Sequence, residues 1–484
     1  MMTIVGGRFL LRRRCRRWTV VPGIARCLHT PHHEPPVVKE FVQIREDVHG
    51  RTRFYRPSAD KTSIDWTWDT ETQDIGRAGV AWRLLPAPLR EWVRTLLLPV
   101  GYPSSVHSSY ARVHVLQALE TYIWSTVSVL CSQTMLESLG VASSAVATGG
   151  GAVAIQWVLK DGIGEIGKLF LIQRFARSFD SHPKTWKMVG EVASVVGATL
   201  QLSTVLFPGS WFLGLASIGY MLRAIHFSIY NATHMTFTRS FAQQGNVGDL
   251  VAKDDSQMTV AHLVGICTGV GLLTISHSHM FLFGTFFLLV PVHVAATVAL
   301  LRAAKFEELS ANRVIVLASQ FVRICDAPGD QPIWGLDDVE ERMVGFGEWI
   351  KPGFDAPHAD LGVPIAHSFQ STKCLETAIN VFKEENYMIG YNAWKSRFGI
   401  VYRQAATHLD IAKSLLHLTR FAFELQSSSK AVGPDPVLTH QVEMLSALEW
   451  TRRLFPKFMV ELDTRGWDID NVFWEDNGCR AEWK

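Results

Sequence analysis

Two charged pairs carry the clearest chemical potential in this chain, because each lies beside a long stretch without charge. Lys160-Asp161 follows the uncharged run Ser138–Leu159, and Lys253-Asp254 precedes the uncharged run Ser256–Leu301. An ionisable group at the border of an apolar helix marks either a solute or ion path or an interfacial anchor whose lysine stem snorkels to the polar side. These four residues are the ligand or transport candidates, with the anchor or structural ion pair as the competing reading. Further on, His277, His279 and His293 sit in the last apolar stretch with Cys267 before them. His277 and His279 are two apart and cannot share a helix face, so interfacial loop histidines are expected rather than a metal site. Gly162, Gly164 and Gly167 spell G-x-G-x-x-G. A dinucleotide site needs a strand directly before the glycines and a βαβ unit around them. Here Lys160-Asp161 intervenes and Trp186–Leu200 reads as helix, so a turn between two helices is the expectation. Gly162 would be its left-handed C-cap. There is no phosphate-loop lysine motif, no G-x-S-x-G elbow and no H-E-x-x-H. No catalytic residue, no metal and no cofactor is therefore assigned, and the cofactor-binding residues stay unknown.

The elements that must position these residues are long and apolar. Ser138–Leu159, Val192–Leu222 and Ser256–Leu301 contain no Asp, Glu, Lys or Arg. A membrane helix needs about 20 mostly apolar residues, so the first run is long enough for one span. The second divides at Pro208-Gly209 and the third near His277 to His279. Pro291 is a further candidate break, and discontinuous helices often line solute sites. Gly265 and Gly269 form a G-x-x-x-G pair suited to close helix packing. Tyr110–Leu136 reads as one more helix. Charged turns are expected from Lys160 through Lys187 and from Asn246 to Asp255.

Composition fits this picture. Charged residues make up 19% of the 484 residues and the mean hydropathy is +0.11, against about 25% charged for an ordinary soluble chain. The net charge of +2 is too balanced for a nucleic-acid partner. Seven cysteines without a C-x-x-C pair argue against a disulfide framework and a structural zinc. Seven arginines, Arg8 to Arg26, precede the first acidic residue, Glu34. That pattern reads as an organelle transit peptide, mitochondrial first, with plastid or endoplasmic reticulum as alternatives and cleavage between Arg26 and Val38. After Leu301 the pattern becomes soluble. Tyr387–Asn392 and Phe398–Tyr402 read as two strands joined at Lys395-Ser396-Arg397, and Ala405–Leu425 and Leu438–Leu462 as helices.

Several short motifs then fall in a recognisable order. Pro99-Val100-Gly101-Tyr102-Pro103-Ser104-Ser105-Val106 with Tyr110, Trp157-Val158-Leu159-Lys160-Asp161-Gly162-Ile163-Gly164 with Gly167, and Phe179-Asp180 with Pro183-Lys184 and Trp186 are the first three. Ala252-Lys253-Asp254 with Ser256-Gln257, Asn312-Arg313, Gly466-Trp467 and Arg480-Ala481-Glu482-Trp483 complete the series. In this order the chain resembles the root UV-B sensitive family, over residues 92 to 313 above all. It departs from the family pattern at Ser109, Asp255 and Met258. The resemblance implies a membrane-associated organelle protein.

The expected fold is mainly α: a bundle of about four to six membrane-embedded helices followed by a smaller soluble α+β domain. The expected division is 1–33 transit peptide, 34–95 soluble lead-in, 96–313 membrane core and 314–484 soluble domain. The expected function is a non-enzymatic membrane protein supporting organelle metabolite or cofactor homeostasis, with a solute transporter as the alternative and an enzyme of unknown class last. Its expected partners are the lipid membrane and another family member or a second copy of the chain, with no nucleic acid.

Overall fold

The structure is a computed structural model. It describes three strands within residues 44–68 and then residues 86–483, apart from 141–149, 176–177, 327–331, 348, 350–356, 393–396, 428–439 and 475. The expected transit peptide, 1–33, lies outside the described residues.

The three strands, β1 (Ile44–Val48), β2 (Arg51–Pro57) and β3 (Ile64–Trp68), form a sheet of that order. β2 and β3 run antiparallel with Tyr55 opposite Trp66.

From residue 86 onward, α1 (Ala87–Leu97) leads to six long helices: α2 (Tyr110–Ser138), α3 (Gly150–Phe175), α4 (Pro183–Ser203), α5 (Phe212–Phe241), α6 (Val247–Ile275) and α7 (His279–Ala303). α2 is central, packing on α4, α6 and α7, while α5 packs on α3 and α4. The break at Pro208-Gly209 is present: Pro208 takes an extended ψ of 145° between two short 3-10 turns. The break near His277 is present as well, with α6 ending at Ile275 and α7 starting at His279.

The stretch Lys160-Asp161-Gly162, most of the expected turn Asn246–Asp255 and the candidate break at Pro291 are instead helix. α3 runs unbroken from Gly150 to Phe175, through Lys160-Asp161-Gly162. Gly162 is not a C-cap, and a Cβ there would meet nothing within 4 Å. Gly164 and Gly167 face Tyr220 and Met221 of α5 instead, where a side chain would collide. They are close-packing positions, as glycines in apolar helices often are. Asn246 is the N-cap of α6, and Lys253, Asp254 and Asp255 lie within its first turns. Pro291 does not break α7, because neighbouring groups can re-satisfy the backbone around a proline in an apolar bundle. Gly265 and Gly269 do pack: a Cβ at Gly265 would lie 2.5 Å from the Tyr122 carbonyl oxygen of α2.

Among the described residues, four helical segments are long and apolar enough to cross a membrane: Pro183–Leu206, Gly209–Phe241, Val247–Ile275 and His279–Ala303. Many of their apolar side chains turn outward, while Leu202, Ile229, Leu282 and Phe286 pack inside. Only 11% of the most apolar stretch of α6 is buried, and Phe287 and Leu288 of α7 are 62% and 72% exposed.

The C-terminal region is built around one large apolar core. β4 (Glu308–Ser310) leads into α8 (Ala311–Asp326), then α9 (Leu336–Arg342), β5 (Ala359–Leu361), α10 (Thr372–Val381), β6 (Tyr387–Asn392), β7 (Arg397–Tyr402), α11 (His408–Ser427), α12 (Gln441–Thr464) and β8 (Asp468–Phe473). β6 and β7 are the expected antiparallel pair, with Tyr387 opposite Tyr402, and β5 adds parallel to β7. β4 pairs parallel with β8. Leu317, Phe321, Ile389, Ile400, Leu415, Phe421 and Phe458 fill one core. The tail closes it: Ala481 N–H donates to the Tyr402 carbonyl, and Trp483 is buried with its Nε1 on the Phe382 carbonyl.

Lys184 ties this region to the bundle. It is fully buried on α4, donates to the Leu301 and Ala304 carbonyls at 2.8 and 2.6 Å, and pairs with Glu340 of α9. Arg313 of α8 meets the same carboxylate at 2.9 Å.

Candidate functional site

The polar interior of the bundle gathers around α4. Lys187 and Glu191 are one turn apart and so share a face, and both are buried. Lys187 Nζ lies 3.0 Å from Glu191 Oε1 and 2.9 Å from Glu120 Oε2 of α2. On its other oxygen Glu191 meets His293 Nε2 of α7 at 2.9 Å, with His226 Nδ1 of α5 at 3.8 Å. One ammonium thus lies between two carboxylates, with two histidines on the second. Buried charges persist where they are paired and hydrogen-bonded, since an isolated one costs several kcal/mol. Tyr230 and Trp124 wall the cluster, with the Lys187 ammonium 5.8 Å from the Tyr230 ring and the Trp124 ring 5.2 Å from that of His226. A cavity of about 320 Å³ opens onto Glu120, Trp124, Glu191, His226, His262 and His293. At about 30 Å³ per water it holds about ten waters or one small polar solute.

A second buried group continues the track. Gln117 Nε2 lies 2.7 Å from the Tyr230 hydroxyl and 3.2 Å from Asp254 Oδ1, so one amide spans both clusters. Asp254 is 2.9 Å from His234 Nε2 and 3.7 Å from His114 Nε2. The His234 and Tyr230 rings stack at 5.2 Å. Ionisable and hydrogen-bonding side chains from α2, α4, α5, α6 and α7 thus form a chain through the bundle. Such a chain can hold a polar solute or relay protons between its histidines and carboxylates.

Of the four residues singled out from sequence, Asp254 belongs to this track. Lys253 faces away, donating to the Thr95 carbonyl of α1 at 2.5 Å. Lys160 is buried against the Trp157 and Tyr220 rings and pairs with its neighbour Asp161 at 2.5 Å. Among the described residues no ion pair links Lys160-Asp161 with Lys253-Asp254. Nor does any of the four line the 320 Å³ cavity. His293 is no loop histidine: it is buried mid-helix on Glu191. His279 does lie at a helix start, paired with Glu137 at 2.9 Å. Among the described residues no group of three or more His, Cys, Asp or Glu has metal-holding geometry.

Glu120, Lys187, Glu191 and His226 were not singled out from sequence. The available signal was position: Glu191 immediately precedes the uncharged run Val192–Leu222, and Glu120 precedes an uncharged stretch of α2. Lys187 was assigned to a charged turn; it lies inside α4 because the helix starts at Pro183, where proline suits the first turn.

This fold and this site occur with two matched family regions. Residues 86–324 match the domain described as "Vitamin B6 photo-protection and homoeostasis domain", and residues 354–483 match "Root UVB sensitive protein, C-terminal". The chain belongs to the root UVB sensitive family. It is 26% identical over 405 residues to "Protein root UVB sensitive 2, chloroplastic" of Arabidopsis thaliana, covering 83% of this chain and 87% of that one. With "Protein root UVB sensitive 6" of the same plant it shares 28% over 346 residues, 72% of this chain and 66% of that one. "RUS family member 1" of Dictyostelium discoideum is 25% identical over 230 residues, 47% and 43% of the two chains. No solved structure matches.

Proposed function

We propose that this chain is an integral membrane protein of an organelle whose helical bundle holds a small polar solute at Glu120, Lys187, Glu191 and His293, and so supports metabolite or cofactor homeostasis without catalysing a reaction. One observation carries the reading: an ionisable cluster is buried inside helices whose apolar side chains face outward. In water that polarity is costly on both counts; in lipid it is the arrangement expected of a functional interior. The description of the matched domain, which names vitamin B6 homoeostasis, supports a cofactor-related solute. One relative is named as a chloroplast protein, which supports a plastid address for this chain. The comparisons offer nothing for the mitochondrial address.

A second reading, passage of the solute across the membrane, is favoured by the continuity of the track through Gln117 to Asp254. In it Asp254 is a path residue, while Lys160, Asp161 and Lys253 anchor helix positions at the edges of the bundle. The lipid membrane is the partner in both readings, with a second copy or another family member as the protein partner.

Glu191→Gln tests the site, because it keeps the shape and removes only the charge. Expressed in a strain lacking the gene, the variant should reach normal abundance by immunoblot and fail to restore the wild-type phenotype. Full rescue would show that the carboxylate is dispensable and end the reading. If Glu191→Gln lowers abundance, His226→Gln is the milder probe, since its contact to Glu191 is longer at 3.8 Å.

A further inference from the structure

Beside the Lys184 junction lies a second cavity, outside the bundle interior and independent of the reading above. Its volume is about 780 Å³, within the range of small-molecule sites. One wall comes from the bundle side, with Arg174 at the end of α3 and His182 before α4. The opposite wall comes from the C-terminal region, with Arg397 of β7 and His367. Asn312 of α8 lies between them, its amide 2.6 Å from His182 Nε2.

The charge balance of these walls is lopsided. Among the described lining residues, Arg174 and Arg397 are two guanidinium groups and Asp360, 3.3 Å from Arg397, is the one carboxylate. Arg174 has no carboxylate partner among the described residues; its recorded contact is the Phe175 ring at 5.9 Å. Helix geometry adds to the same sign. His182 is the N-cap of the 21-residue α4, and Ala311 and Asn312 are the first residues of the 16-residue α8, and all three line the cavity. Two helix N-termini therefore lie at its wall, and the positive end of each helix dipole favours an anion there. Trp349 supplies a flat apolar wall, held edge-to-face on Trp186 with ring centroids 5.3 Å apart.

We propose that this cleft binds a small soluble organic phosphate carrying a flat ring, with Arg174 and Arg397 on the phosphate from opposite walls and Trp349 against the ring. Guanidinium groups suit phosphate because their planar fork donates two parallel hydrogen bonds. The site joins the bundle to the C-terminal region, so an occupant would bridge the two across the Lys184–Glu340 contact.

Calorimetric titration of the full-length, detergent-solubilised protein tests this with phenyl phosphate and inorganic phosphate. Phenyl phosphate should bind, and inorganic phosphate about tenfold more weakly for want of the ring. Arg174→Gln and Arg397→Gln should each weaken phenyl phosphate about tenfold, the loss expected for one charge-assisted hydrogen bond. Arg453→Gln, on an exposed face of α12 and outside the cleft, should change nothing. If either cleft variant fails to elute as a folded species, His367→Asn on the exposed wall replaces it, with a smaller expected loss. Absence of phenyl phosphate binding by the folded wild type would overturn the proposal, as would equal binding by the cleft variants. Binding seen only with nanodiscs containing phosphatidic acid would also overturn it, by assigning the cleft to a lipid headgroup.

Discussion

In the bundle, Glu120, Lys187, Glu191 and His293 are buried while Leu263, Phe287 and Leu288 face outward; in the C-terminal region Leu415, Phe421 and Phe458 are buried and Arg453 faces outward. Both regions also bury a carboxylate between cations, which makes the comparison sharper. Glu385 receives Lys413 at 2.6 Å and Arg452 at 2.7 Å, but those partners are 20% and 39% exposed. Burial alone would raise the Glu385 pKa, yet the hydrogen bonds from Lys413 and Arg452 hold it below the ordinary glutamate value. The partners in the Glu191 cluster are more deeply buried: Lys187, Glu120 and His293 are all below 10% exposed. A rim ion pair keeps its water and contributes modestly to stability. An interior one is costly to assemble, and where it persists it points to use rather than to stability.

The largest expected effect tests that contrast directly. Lys187→Met removes the cation between Glu120 and Glu191 and leaves two buried carboxylates facing each other. The expected loss is about 3–5 kcal/mol, read as a collapse in folded yield in detergent. The matching change at the rim, Lys413→Met, leaves Arg452 on Glu385 and should cost about 1 kcal/mol or less. Equal losses would erase the distinction between the two regions.

The next effect belongs to the C-terminal core. His417 is fully buried, 3.1 Å from the Tyr387 hydroxyl and 3.1 Å from the Met444 carbonyl, and burial pushes its pKa down to about 4. The unfolded chain takes up a proton near pH 6.5 and the folded one only near pH 4, so stability rises with pH between those values. Between pH 7 and pH 5 the region should lose about 2 kcal/mol from this group, seen as a falling thermal midpoint. His417→Leu should lower stability at pH 7 and flatten the profile in that window. An unchanged slope would place the titration elsewhere.

Glycines give the smaller effects and separate packing from local conformation. Gly265→Ala puts a Cβ 2.5 Å from the Tyr122 carbonyl oxygen and should cost about 1–3 kcal/mol by forcing α2 and α6 apart. Gly162→Ala meets nothing within 4 Å in a helical segment. It should be neutral or stabilising by up to about 1 kcal/mol. A large loss at Gly162 would restore the turn that the sequence suggested there.

What could be read from sequence follows from the range of each signal. The break at Pro208-Gly209 is local, because a proline has no N–H to donate back to the preceding turn and its ring crowds that turn's carbonyl. The β6–β7 pair and the Gly265–Gly269 face are local too. Gly162 misled because a glycine after a charged pair is the usual mark of a helix end; the packing of Gly164 and Gly167 on α5, invisible in sequence, decides that α3 continues. The Glu191 cluster was harder still. Glu120, His226 and His293 come from three helices and reach Glu191 or Lys187 only after the bundle packs. The matched family regions identify the chain's relatives, but no local pattern marks which buried charges meet.

In the membrane protein proposed above, the outward apolar faces of α4, α5, α6 and α7 lie against lipid. Alkaline carbonate extraction of membranes isolated from the native organelle tests it most directly, with the protein followed by immunoblot. An embedded chain stays in the membrane pellet at high pH, and that is the expected result. Full release into the supernatant would contradict it.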